Sequence, residues 1–195
     1  MVLNILKKLQ FRRDVPAEIS SSGEVTVMHV SDTPESVYPF VQRLIEKISP
    51  DYIIHTGDLA DNLKLERRPE LLPRYRGAIR KLASILKGSG AELYIVPGNE
   101  DDVEVIREFF GDAVVDPGTV VEIEGVRFAL GHRPEEVLGS PVDFRLYGHN
   151  FKLIEKGLNG VLGVNFVLLP SGRTYRIKYP PGTDTCRGYK MWRGL

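Results

Sequence analysis

Three short apolar runs constrain this chain most, because each stops at a polar cluster. Glu24-Val25-Thr26-Val27-Met28-His29-Val30 ends in Ser31-Asp32-Thr33-Pro34, and Tyr52-Ile53-Ile54-His55-Thr56 ends in Gly57-Asp58-Leu59-Ala60-Asp61-Asn62. Glu92-Leu93-Tyr94-Ile95-Val96 ends in Pro97-Gly98-Asn99-Glu100-Asp101-Asp102. Runs of this length and composition bounded by turn residues read as buried strands. Between the first two, Val37, Phe40, Val41, Leu44, Ile45 and Ile48 recur at helical spacing until Pro50-Asp51 stops the pattern. The result is a β-α-β unit with parallel strands and a right-handed crossover. Asp32 and Asp58 then arrive at the same edge of one sheet. Ligands of open α/β sheets bind beyond the carboxyl ends of the strands, so Asp58 is placed for chemistry. The competing reading makes Asp58 and Asp61 simple turn formers. The recurrence at a third strand end weighs against it.

Residues 63 to 76 are irregular and basic, with Pro69 and Pro73 among the charges, and a helix is predicted from Tyr75 to Lys87, closed by Gly88-Ser89-Gly90. Val103 to Phe110 reads as another helix. From Ala113 the pattern turns from β-α to β-β. Val120 to Ile123 and Val126 to Leu130 form a hairpin around Glu124-Gly125, the second strand stopping at Gly131-His132-Arg133-Pro134. Asp143 to Tyr147 ends at Gly148-His149-Asn150-Phe151, and Lys152 to Glu155 and Val164 to Leu168 are read as further strands.

The 195 residues suit one domain with a sizeable core, and Lys+Arg and Asp+Glu both total 26, which argues against a general affinity for nucleic acid. A single cysteine, Cys186, allows no internal disulfide and fits a reducing compartment. No apolar run approaches the roughly 20 residues that span a bilayer. A cytoplasmic protein is expected.

The ordered clusters Ser31-Asp32-Thr33-Pro34, Gly57-Asp58-Leu59-Ala60-Asp61-Asn62, Gly98-Asn99-Glu100-Asp101, Gly131-His132 and Gly148-His149-Asn150-Phe151 resemble those of the calcineurin-like metallophosphoesterase superfamily. The resemblance covers residues 25 to 172 and is greatest to the small single-domain phosphodiesterases of bacteria and archaea. It implies an α/β (α+β) fold, a four-layer α-β-β-α sandwich of two mixed sheets flanked by helices. It also implies a phosphoric ester or diester hydrolase acting on a phosphate-ester small molecule or a nucleotide. The family holds two divalent metals, manganese, iron or zinc, that share a bridging aspartate. Carried onto this sequence, Asp58 bridges, and Asp58, Asn99, His132 and His149 hold one ion.

The other ion is where the sequence departs. Asp32 and Asp58 remain, but the two positions where the family has histidine are Pro34 and Phe151, which carry no donor atom. One tightly bound ion rather than two is therefore expected. Asp61 is a substitute that could approach the vacated side. His29 and His55 each sit three residues before an Asp and read as core histidines. Where many relatives have a histidine after the asparagine, this chain has Glu100, a general acid only if its pKa is raised well above about 4.3. Arg133 or Lys152 is a candidate cation to grip phosphate oxygens. The alternative function is a relative without hydrolysis, serving as a binding or scaffold protein.

The termini are read as additions to the 25–172 domain. Residues 1 to 24 carry a basic amphipathic stretch, Met1 to Phe11, expected to dock on its own domain or a second subunit, with Pro16 and Ser20-Ser21-Ser22-Gly23 as linker. Residues 173 to 195 interleave Arg173, Arg176, Lys178, Arg187, Lys190 and Arg193 with Tyr175, Tyr179, Tyr189 and Trp192. Such a tail could track a nucleic-acid strand or wrap back on the domain, and the absence of a nucleic-acid motif disfavours the former. Tyr175 to Lys178 is expected to close the sheet.

Overall fold

The computed structural model describes residues 15–189, so the basic stretch Met1 to Phe11 and the side chains of Lys190, Trp192 and Arg193 lie outside the described residues. The chain begins with a short helix, α1 (Ala17–Ser21), inside the segment read as a linker. Its Ile19 joins the core, which anchors the segment to the domain.

The predicted β-α-β unit is present as β1 (Val25–Val30), α2 (Tyr38–Ile48) and β2 (Tyr52–Thr56). A 3-10 turn over Glu35–Val37 takes the first part of the predicted helix. The buried residues of α2 are Tyr38, Phe40, Val41, Leu44, Ile45 and Ile48, one apolar stripe of a helix of period 3.6. Ser49 ends the helix in the left-handed conformation with φ 51°.

Helix α3 (Leu72–Lys87) starts earlier than the predicted Tyr75 because Pro73 sits in its first turn, where the missing N–H costs nothing. Strand β3 (Glu92–Val96) leads to α4 (Val103–Phe110), whose N-cap Asp102 accepts from Val105 N at 2.9 Å. Strands β4 (Thr119–Ile123) and β5 (Val126–Leu130) form the antiparallel hairpin. Its turn residues Glu124 and Gly125 both have positive φ, as a two-residue hairpin of matching twist requires. Then come β6 (Phe144–Tyr147), β7 (Gly157–Asn159), β8 (Val164–Leu169), β9 (Arg173–Ile177) and the single turn α5 (Thr183–Cys186).

The expected strand over Lys152 to Glu155 is not formed, and β7 takes that place in the sheet. Leu153 is 71% exposed, and within the stretch only Ile154 packs against the core. Side chains take its backbone carbonyl: Tyr147 Oη donates to Lys152 O at 2.7 Å and Asn159 Nδ2 at 3.1 Å.

The strands make two mixed sheets, in the orders β3-β2-β1-β8-β9 and β4-β5-β6-β7. Strands β1, β2 and β3 are parallel, as are β5, β6 and β7. Strand β9 pairs antiparallel with β8 and so extends the first sheet at its edge.

One core cluster fills the space between the first sheet and helices α2, α3 and α4, with Met28, Ile53, Ile95 and Phe166 facing Leu44, Ile79 and Ile106. A second lies between the sheets, where Val27, Ile54, Val96 and Val167 meet Ile123, Phe128, Leu130 and Leu146. The outer face of the second sheet is covered by the 3-10 turn Pro134–Val137 and neighbouring loops, a thin fourth layer. Parallel pairing puts the ends of β1, β2 and β3 at one edge, and the ends of β5 and β6 meet them there. Five polar clusters far apart in the chain thus share one rim.

Candidate metal centre

The side chain at the middle of this rim is His132, which is 2% exposed. Its Nδ1 lies 2.8 Å from the Thr56 carbonyl, which can only accept, so Nδ1 carries the proton and Nε2 presents a lone pair. Around Nε2 stand Asn99 Oδ1 at 3.1 Å, His149 Nδ1 at 3.2 Å and Asp58 Oδ2 at 3.5 Å. Asn99 is oriented by its own amide, which donates to Glu66 Oε2 at 2.9 Å and turns its oxygen inward. Asp32, Asp58 and His132 offer ligand atoms all within 4.8 Å of one another. The rim therefore gathers all five residues that the sequence offered as ligands.

The donor set fits a divalent ion. Nitrogen and oxygen ligands bind such ions at about 2.0–2.2 Å, which puts neighbouring ligand atoms about 3.0–3.5 Å apart. The separations around Nε2 match that spacing, and the Asn99 and Asp58 oxygens crowded on its lone pair would be stabilised by a cation among them. Burial pushes the Asp58 carboxyl well up, and the charges of Asp32, Asp101 and Asp61 push it the same way. Asp61 is pushed up to about 6, by burial and then by Asp32, while Lys64 and Arg187 oppose the shift. Burial lowers the His149 imidazole, with His132 and Arg133 adding to the shift and Asp32 and Glu136 opposing it. Carboxyls crowded together away from water resist ionisation, a penalty that a bound cation would relieve.

Backbone geometry serves the convergence. Asp32, Asp58 and His149 all have positive φ, at 51°, 56° and 66°, which costs about 1–3 kcal/mol for each non-glycine residue. Gly98 and Gly148 let the loops close: a Cβ at Gly98 would collide with Asp58 Oδ1, and one at Gly148 with Asp32 Oδ2. Asp101 binds the Asp58 loop to the Gly98 loop, accepting from Asp58 N at 2.7 Å, Gly98 N at 2.8 Å and Leu59 N at 2.9 Å. Tyr75 Oη adds a fourth bond at 2.8 Å. The sequence placed Asp101 in the cluster but did not reveal this clasp.

Other candidate residues sit differently. Glu100 is 4% exposed, and its carboxylate turns away to Glu66 N at 3.0 Å, with the Lys64 ammonium at 3.8 Å from its other oxygen. Its backbone N–H is what meets the centre, donating to Asp58 Oδ1 at 3.0 Å. The Lys152 ammonium is held by Glu135 at 2.7 Å, whereas Arg133 is an exposed residue beside His149. His29 and His55 are core histidines, bonded to Thr56 Oγ1 at 2.9 Å and Thr33 Oγ1 at 2.8 Å.

On the Asp32 side, Pro34 is buried and Phe151 packs on Tyr189 with ring centroids 5.0 Å apart, so neither position brings a donor. Asp61 reaches this side fully buried, and its Oδ1 is bonded by the Lys64 ammonium. In the sequence Lys64 is one of several basic residues in an irregular stretch, and nothing local pairs it with Asp61.

Structural comparison finds an archaeal phosphodiesterase with TM-score 0.57 and 18% identity, over 78% of this chain and 99% of that one. Yfce, a phosphoesterase from E. coli, superposes with TM-score 0.50 and 16% identity, over 78% of this chain and all of the other, at 100%. At these identities the likeness shows a shared fold. Among proteins of curated function, none matches the chain. The family model of the calcineurin-like phosphoesterases matches residues 25–166, from the start of β1 into β8 and across every polar cluster of the rim. The chain belongs to the calcineurin-like phosphoesterase family.

Proposed function

We propose that this protein is a metal-dependent phosphoesterase acting on phosphate esters or diesters through a reduced site that holds one divalent ion. Asp58, Asn99, His132 and His149 would hold the ion, with Asp32 as a further oxygen donor. The observation that carries this reading is the ring of potential ligand atoms around His132 Nε2. An ion held there supplies Lewis-acid stabilisation of charge on a phosphoryl oxygen. The donor set of carboxylate, amide oxygen and imidazole suits manganese, iron or zinc equally.

The protein's own groups have separable tasks in this reading. The Thr56 carbonyl fixes the His132 tautomer, and the Asn99 amide is fixed by Glu66. Glu100 steadies Asp58 through its backbone N–H. Arg133, exposed and near His149, would be the cation that grips a phosphate oxygen.

A second reading, a binding protein of the same fold without hydrolysis, draws support from Pro34 and Phe151, which leave the Asp32 side short of donors. Hydrolysis of a chromogenic phosphodiester separates the two. Metal-stripped protein reloaded with manganese should turn over, and His149→Ala and Asp58→Asn should reduce the rate to background. Turnover absent, or unchanged in both variants, would discard the enzyme reading for that substrate class.

A further inference from the structure

The last described turn of the chain, from Gly182 to Tyr189, folds back onto the rim. Arg187 is 1% exposed, and a guanidinium is buried at high cost unless its donors are satisfied. Here they are. Nε donates to Asp32 O at 2.7 Å and Nη2 to Ser31 O at 3.3 Å. Nη1 donates to Val161 O at 2.8 Å and Asp184 Oδ1 at 3.0 Å. The cation also lies 4.4 Å from the centre of the Tyr179 ring, whose hydroxyl donates to Ser31 O at 3.2 Å. Two residues on, Tyr189 Oη donates to His149 O at 3.0 Å and stands 3.5 Å from Asp32 Oδ1.

These bonds fall on two of the three rim loops whose ligand residues have positive φ. Asp32 leaves β1 of the first sheet and His149 leaves β6 of the second, and both have positive φ. A non-glycine residue keeps that conformation only when its surroundings over-determine it. One direct tie joins the loops, His149 N to Asp32 Oδ2 at 3.0 Å. The C-terminal turn adds another from outside, gripping the Asp32 backbone with Arg187 and the His149 backbone with Tyr189. Its guanidinium also brings a fixed positive charge to the side where Pro34 and Phe151 offer no donor.

We infer that Arg187 and Tyr189 are positioning residues that clamp the Asp32 and His149 loops into the geometry that receives the metal. The affinity of the centre is thereby set by the C-terminal segment. The inference rests on the metal-holding reading above.

The test is manganese binding by full-length protein, measured by titration calorimetry after chelator treatment, beside the melting temperature of the same metal-free sample. Tyr189→Phe removes one hydroxyl and its bond, so manganese affinity should fall about three- to tenfold with little change in metal-free melting. Arg187→Met should lower affinity at least as far, and Arg187→Lys should recover part of it. Should Arg187→Met fail to fold, Tyr189→Phe decides alone. A lower metal-free melting temperature with unchanged affinity would overturn the clamp and leave a merely structural segment. Wild-type protein that takes up no manganese would overturn the metal reading itself, and the clamp with it.

Discussion

His132 Nε2 faces Asn99 Oδ1 across 3.1 Å, and in the neutral imidazole neither atom has a proton to share. The imidazole proton is committed to the Thr56 carbonyl, and the amide donors of Asn99 point to Glu66. Two acceptors are aimed at each other by partners outside the centre. That arrangement is stabilised by a cation and destabilised by its removal.

Manganese added to chelator-treated protein should therefore raise its melting temperature, since a ligand at 100 times its Kd stabilises by about 2.7 kcal/mol. Asn99→Ala should lose most of that increment. It leaves the metal-free protein near its original stability, because it removes one of the opposed acceptors. Equal metal-dependent shifts in wild type and Asn99→Ala, followed by differential scanning fluorimetry, would remove Asn99 from the ligand set.

Gly98→Ala should be costly although it adds only a methyl group. The added Cβ meets Asp58 Oδ1, and Asp58 is held from behind by Asp101 and Glu100. Overpacking of this kind costs about 1–3 kcal/mol. Denaturant unfolding should show that loss, and manganese titration should show a parallel drop in affinity. Gly77→Ala, a glycine of α3 with open space around it, serves as the control.

The buried imidazoles of His29 and His55 give stability a definite pH dependence. Burial lowers both from 6.5 to about 3, with the Arg176 charge adding to the effect on His29 and the other histidines adding to that on His55. Between those values the unfolded chain binds protons that the folded chain refuses. Their contribution is thus fully present above pH 6.5 and is lost as pH falls towards 3. The raised carboxyls of Asp58, Asp61 and Asp101 act in the opposite sense, taking up protons in the folded chain. Comparing variants at each pH cancels that opposition. His55→Asn should reduce proton uptake on unfolding by about one near pH 5 in metal-free protein. Identical pH slopes for wild type and variant would contradict a neutral, buried His55.

Lys64 neutralises Asp61, whose second oxygen, Oδ2, is buried without a hydrogen-bond partner among the described residues. Lys64→Met should destabilise the metal-free protein by about 1–3 kcal/mol, below the 3–5 typical of a fully buried pair because the lysine side chain is 29% exposed. Lys64→Met combined with Asp61→Asn should recover most of the loss. A double variant no more stable than the single would mean that the ammonium works through Glu100 or the Tyr189 ring rather than through Asp61.

The sequence by itself determined most of the strands, the parallel pairing of β1 with β2 and the rim of polar clusters. Those features follow from local periodicity and from the rule that a β-α-β unit delivers both strand ends to one edge. Asp32, Asp58, Asn99, His132 and His149 were legible as a set through the family resemblance, each standing in one of its motifs at a strand end. The Lys152 to Glu155 stretch was misread because nothing local says that Tyr147 and Asn159 will claim the Lys152 carbonyl.

Only the tertiary structure decided how the charges are paired. Lys64 with Asp61, Glu100 facing Glu66, and Arg187 on Asp32 are matters of which loops meet. Arg187 and Asp32 are 155 residues apart in the chain. A guanidinium bonded to backbone carbonyls leaves no residue pattern to read, since every residue has such a carbonyl. Side-chain pattern fixes which face of an element is buried. Contact between distant loops fixes what a charged side chain does there.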